Sequence, residues 1–244
     1  LSARGRISIG VLTTGEPPGD LGLTFGDYPA MFRALLGETD FVFTEFDVRR
    51  PRGLPASPTA CAAYVVTGSP AGAYDPDPWI AELRRWLVAA KGRAALVGVC
   101  FGHQFMAEAF GGRVIQSPRG WGVGLHAYAV RGPEPWMAPG PEIRAPASHQ
   151  DQVVALPPGA QVLAGSDFTP NGMLAYDDQS AISIQLHPEF DPAYAKALIA
   201  GRRGGQLAAD LADQASASLD GPNDCARIGT WISAFLRQQA IGGG

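Results

Sequence analysis

The sequence predicts an α/β protein: a three-layer, doubly wound, mostly parallel sheet in which one strand turns sharply into a helix through a nucleophile elbow. Three observations predict it. Short runs of consecutive apolar residues recur at Ile7 to Leu12, Ala62 to Thr67 and Ala94 to Val97, the pattern of strands buried on both faces. Segments with helical apolar spacing lie between them, so that strand, crossover helix and parallel strand repeat. At Gly98-Val99-Cys100-Phe101-Gly102 a thiol sits between two glycines where such a strand meets a helix, a frame of the G-x-S-x-G kind.

The elements follow in order. Ile7 to Leu12 is the first strand and 13–20 a loop; Tyr28 to Leu36 has amphipathic helical spacing, and Phe41 to Val48 alternates as a strand does. Pro51 to Pro58 is a Pro-rich loop, and Ala62 to Thr67 a buried strand. Small residues between Gly68 and Asp75 then let the backbone approach a ligand closely. Trp79 to Ala90 brings Ile80, Leu83, Trp86 and Leu87 to one helical face. It leads to the elbow strand, after which Gln104 to Phe110 continues as a helix ended by Gly111-Gly112.

Val114-Ile115 and Gly122 to Val130 are extended, Pro133 to Pro141 is loop, and the polar cluster from Ser148 to Val153 precedes another loop at 154–159. Short strands at Gln161 to Ala164 and Met173 to Tyr176 suggest an antiparallel extension of the sheet before the strand that begins at Ile182 and ends in His187-Pro188-Glu189. Helices are expected at Tyr194 to Ala200, Gln206 to Ser216 and Cys225 to Gln238. The last carries Ile228, Trp231, Ile232, Phe235 and Leu236 on one stripe, expected to cover the core. Gly242 to Gly244 are expected to fray.

The candidate chemistry starts at Cys100. Gly98 and Gly102 permit a sharp bend and close packing around it. A helix N-terminus favours the thiolate, and the N–H of the following residue can face a developing oxyanion. Far along the chain, His187-Pro188-Glu189 ends a β-branched run. Residues two apart in an extended chain face the same way, so His187 and Glu189 are expected to project together. Cysteine, histidine and carboxylate are the parts of a triad in which the imidazole takes the thiol proton and the carboxylate orients the ring. His126 and His103 read as structural. Cys61 and Cys225, widely spaced in an odd set of three, read as inert packing residues in a reduced compartment, with neither a disulfide framework nor a metal site.

With 244 residues, 46% of them hydrophobic and 17% charged, the chain reads as one globular domain over 1–244. Its core spans about 7–199 and a C-terminal helical extension about 203–240. The 19 basic and 23 acidic residues give a net charge of −4, with no basic stripe for a phosphate backbone, so nucleic acid is not an expected partner. Apolar runs are too short to span a membrane and the N-terminus shows no signal-peptide core, so the expected location is the cytoplasm.

The pair G-V-C-F-G-H-Q and L-H-P-E-F, with Val66 to Pro70 and Ser148 to Asp151 in the same order, resembles the class I glutamine amidotransferases. The resemblance is strongest to free-standing members related to the glutaminase half of GMP synthetase, and covers roughly Ile7 to Ile199. It implies a flavodoxin-like sheet and a Cys100-His187-Glu189 triad. It also implies an oxyanion hole from the N–H groups of Ser69 and Phe101, and substrate contacts from Gly68, Gln104, Ser148, His149 and Gln150, the last three largely through backbone. The implied activity is hydrolysis of the glutamine γ-amide through a thioester, without metal or cofactor. The chain offers no synthase domain, so ammonia would pass to a separate synthase subunit, or the protein is a stand-alone γ-glutamyl peptidase. A catalytically silent binding module is the reading from another class. The loops 14–20 and 133–141 are expected to border the substrate mouth.

Overall fold

All five residues of the strand Ala95–Val99 are buried, so this strand requires cover on both faces. The computed structural model describes residues 5–177 and 180–242; Gly243 and Gly244, expected to fray, lie outside the described residues. In chain order the elements are β1 (Ile7–Thr13), α1 (Leu21–Phe25), α2 (Tyr28–Leu36), β2 (Phe41–Asp47), β3 (Ala63–Val66), α3 (Pro78–Ala90), β4 (Ala95–Val99), α4 (Phe101–Ala109), β5 (Arg113–Gln116), β6 (Gly122–Val130), β7 (Glu142–His149), β8 (Asp151–Ala155), β9 (Gln161–Gly165), β10 (Met173–Ala175), β11 (Ala181–Ile184), α5 (Pro192–Arg202), α6 (Ala209–Ser218) and α7 (Cys225–Gly242).

Nine strands form one sheet in the order β2-β1-β3-β4-β11-β10-β9-β6-β7. Pairings from β2 to β11 are parallel and those beyond are antiparallel, which leaves β10 and β6 running against the rest. The expected antiparallel extension is present. β5 and β8 form a separate two-stranded ribbon.

Side-chain alternation in the central strands builds the layers. Tyr64, Val66 and Leu96 pack on one face with Leu83 and Leu87 of α3 and Phe101 and Phe105 of α4. Val65, Val97 and Val99 pack on the other with Phe32 of α2 and Trp231 and Phe235 of α7. The expected stripe of α7 is buried throughout, each such side chain stabilising the fold by roughly 1.5–3 kcal/mol. Among the described residues no helix is long and apolar enough to cross a membrane.

Two expectations need correction, and two elements are additions to them. The pair Val154-Ala155, expected as loop, is strand in β8, because ribbon pairing with β5 supplies partners that local pattern does not reveal, and residues 142–147, for which no element was expected, are strand in β7 through hairpin pairing with β6. The short α1 was not expected, since none of its five residues is buried. The strand expected to end in His187-Pro188-Glu189 stops at Ile184.

Candidate active site

Three adjacent parallel strands, β3, β4 and β11, bring their carboxyl ends together, where open α/β sheets place their sites. Cys100 follows β4 directly and caps α4, with φ 52° and ψ −104°. The positive-φ strain therefore falls on the cysteine itself. The flanking glycines serve close approach. A Cβ on Gly102 would lie 2.2 Å from the Val66 carbonyl oxygen, and one on Gly98 2.5 Å from the Gly102 oxygen. The Cys100 N–H donates to Ile184 O at 2.9 Å and the Gly102 N–H to Thr67 O at 3.2 Å, tying the elbow to both neighbouring strands.

His187 and Glu189 meet, though not as a strand end. The chain turns after β11, with the Phe190 N–H donating to His187 O at 3.2 Å and the His187 N–H to Pro146 O at 2.8 Å. His187 Nδ1 then lies 2.7 Å from Glu189 Oε1. Both side chains are buried, and the imidazole stacks on Phe190 at 3.9 Å and 8°. Burial acts against a charged imidazole. The Cys100 sulfur and the Glu189 carboxylate outweigh it, and His187 is pushed up to about 10. Gly68 fills the gap beside them: a Cβ there would lie 3.1 Å from His187 Cε1 and 3.9 Å from Cys100 Cβ.

The segment after β3 is held by Thr14, whose hydroxyl donates to the Gly68 carbonyl at 3.0 Å, while Ser69 Oγ donates to Thr14 O at 2.7 Å. Among the described residues neither the Ser69 nor the Phe101 N–H has a backbone partner. The Phe101 ring faces away, stacked on Phe105 at 5.2 Å. The Ser148 carbonyl lies 4.0 Å from Cys100 Sγ. Gln104 Nε2 donates to Asp151 O at 2.9 Å and to Gln185 Oε1 at 3.1 Å. Gln150 accepts from Gln116, and the His149 Nδ1–H donates to Asp151 O at 3.1 Å. Burial, then the neighbouring His126, push His149 down to about 3.

Cys100 stands where two clefts meet. One, of about 310 Å³, is lined by Gln104, His149, Gln150, Asp75 and Asp151. Burial and the Asp75 charge raise the Asp151 carboxyl, against the opposing Tyr74 hydroxyl. The other, of about 640 Å³, is lined by Gly68, His187, Phe190 and Tyr28, with Glu16, Pro18 and Gly19 at its border. Ser69 and Ser148 line both. The candidate site residues thus gather around Cys100, with Glu189 behind His187 and Phe101 contributing only backbone there. The loop 14–20 borders the larger cleft as expected. The loop 133–141 borders neither: Trp136 packs on Phe235, and the Ala138 and Pro139 carbonyls accept from Arg227, so apolar and polar groups alike anchor it to α7. Among the described residues no group of three His, Cys, Asp or Glu side chains is placed to hold a metal ion.

The sequence profile of the class-I glutamine amidotransferases matches residues 59–200. The chain belongs to this family. Among similar members, a glutamine amidotransferase-like protein of Schizosaccharomyces pombe is 27% identical over 82% of this chain and 86% of its own length. GMP synthase [glutamine-hydrolyzing] of Thermus thermophilus is 33% identical over 52% of the chain, which spans only 24% of that protein. Gamma-glutamyl peptidase 3 of Arabidopsis thaliana is 30% identical over 52% of this chain and 54% of the peptidase. The fold matches the crystal structure of a glutamine amidotransferase from Methylobacillus flagellatus with a TM-score of 0.70, 22% identity, and 97% and 96% of the two chains covered.

Within this class-I amidotransferase chain, the outlying histidines and cysteines behave as packing groups. His103 is fully buried with Nδ1 2.8 Å from Ser183 Oγ, and burial lowers His126. Burial raises the Cys61 thiol and pushes Cys225 up to about 12. Sequence reasoning missed the walls of the larger cleft. Tyr28 lies in α2, Phe190 just past His187, and Arg202 at the end of α5. Phe190 had a usable signal in its adjacency to the His-Pro-Glu run; Tyr28 and Arg202 had none.

Proposed function

We propose that this chain hydrolyses γ-glutamyl amides through a Cys100 thioester, with L-glutamine as the reference substrate. The observation that carries the reading is the strained Cys100 at a helix N-terminus beside a buried His187–Glu189 pair that holds a proton. The Cys100 thiolate attacks the γ-carbonyl carbon, and the N–H groups of Ser69 and Phe101 face the oxygen that gains charge. His187 gives its proton to the departing nitrogen as the C–N bond breaks. His187 then takes a proton from water, which attacks the thioester and frees glutamate and the thiolate. Glu189 keeps the ring in the tautomer these transfers need. The γ-glutamyl group occupies the smaller, polar cleft, against Gln104 and the backbone of 148–150.

The test is glutamate release from L-glutamine and from γ-glutamyl peptides, with wild type beside Cys100→Ala. Cys100-dependent release is the expected result. A preference for glutamine points to a separate synthase subunit that receives the ammonia. No cleavage of any γ-glutamyl amide, together with failure of a glutamine-like electrophile to label Cys100, overturns the proposal and leaves a binding module.

A further inference from the structure

We propose that the larger cleft is a leaving-group site for an apolar amino acid joined through its α-amine to the γ-carboxyl of glutamate, and that Arg202 binds the carboxylate of that amino acid. This rests on the hydrolase reading above and narrows its substrate.

The two clefts are not equivalent. His187 lines the larger and not the smaller; Gln104 lines the smaller and not the larger. The departing nitrogen must receive its proton from His187, so the amine leaves toward the larger cleft. Ammonia, about the size of a water molecule, occupies roughly 30 Å³. A cleft of about 640 Å³ on that side has room for a whole amino acid.

Its walls set the chemistry. Leu21, Tyr28, Phe190 and Leu198 give it an apolar side, with Tyr28 stacked on Phe190 at 6.1 Å. Arg202 stands at the border of both clefts. Its Nη1 donates to Ser148 Oγ at 2.7 Å and its guanidinium lies 5.1 Å from the centre of the Trp121 ring. The carbonyl of that same Ser148 is 4.0 Å from Cys100 Sγ. Among the described residues Arg202 pairs with no carboxylate. A guanidinium fixed near the thiol, with donors to spare, suits a carboxylate. In a leaving amino acid that carboxylate is two bonds from the scissile nitrogen. Arg202 falls just beyond the family match at 59–200.

Three probes separate the parts: γ-L-glutamyl-L-leucine, γ-L-glutamyl-isopentylamide, which lacks only the leucine carboxylate, and L-glutamine. Wild type is expected to favour the dipeptide over glutamine by about tenfold or more in kcat/KM. Arg202→Gln is expected to lose about 10- to 100-fold more on the dipeptide than on the isopentylamide, with Arg202→Lys recovering part of it. Equal losses on all three probes overturn the Arg202 assignment, and a preference for glutamine overturns the leaving-group site. Calorimetry on Cys100→Ala reads the site without turnover. Tighter binding of the dipeptide than of the isopentylamide, reversed by Arg202→Gln, supports the proposal; equal or absent binding defeats it. Absence of Cys100-dependent cleavage of every probe, with that binding intact, fails the hydrolase reading alone.

Discussion

His187 and His103 are both buried, 3% and 0% exposed, yet they sit at opposite ends of the imidazole range. Around His103 the ring nitrogen meets a neutral hydroxyl of Ser183, and burial pushes it down to about 3. Burial pulls His187 the same way, but the Cys100 sulfur and the Glu189 carboxylate carry it up to about 10. Burial alone makes a histidine an apolar plate with a polar edge. A sulfur and a carboxylate beside it in the same low-dielectric setting make it a held proton. The separation in sequence gives no hint of this, since His103 is three residues from the thiol and His187 is far away.

Removing the imidazoles is the strongest way to break the comparison. His187→Gln is expected to lower kcat/KM for glutamine by about 10³-fold or more, whereas folded His103→Asn stays within roughly threefold of wild type. Comparable losses in the two variants, measured by steady-state glutamate release, would sink the distinction. Glu189→Gln comes next, with a loss of about 10²-fold, and it also moves a pH limb. On the proposed mechanism the rate needs His187 protonated, which holds as pH rises until it passes about 10. Without the carboxylate the fall in rate, and the imidazole titration seen by NMR, shift to lower pH. Gly68→Ala is weaker still. Its Cβ would press on His187 Cε1 at 3.1 Å, and a displaced ring is expected to cost kcat about tenfold.

The parallel half of the sheet and the elbow at Cys100 were legible because their information is local. A run such as Ala95–Val99 is apolar throughout, and a cysteine between glycines states its own geometry. β7 was not legible. Arg144 and Pro146 break its apolar pattern, and an edge strand tolerates them because one of its sides needs no ladder partner. His187 and Glu189 meet through a turn after Ile184, and not through strand alternation, which is the part a linear reading does not supply. The wall made by Tyr28, Phe190 and Arg202 joins α2, a post-strand turn and α5. Only tertiary structure makes those residues neighbours.

The smallest expected effect tests the same contrast through stability. His103 and His149 have folded values of about 3 against an ordinary 6.5. Below pH 6.5 the unfolded chain therefore binds protons that these two folded rings refuse, and stability falls as pH drops, by up to roughly 1.4 kcal/mol per pH unit for each ring. His187 has the opposite sign. Its contribution is fully present below 6.5 and is lost only as pH rises through about 10. Urea unfolding of wild type and His103→Asn at pH 6.5 and pH 5 separates the terms. Whatever the fixed cost of the substitution, the variant is expected to lose less stability between those two pH values, by roughly 1.5 kcal/mol. Parallel pH dependences in the two proteins would mean that His103 takes up its proton while still folded, and that burial alone does not hold it neutral.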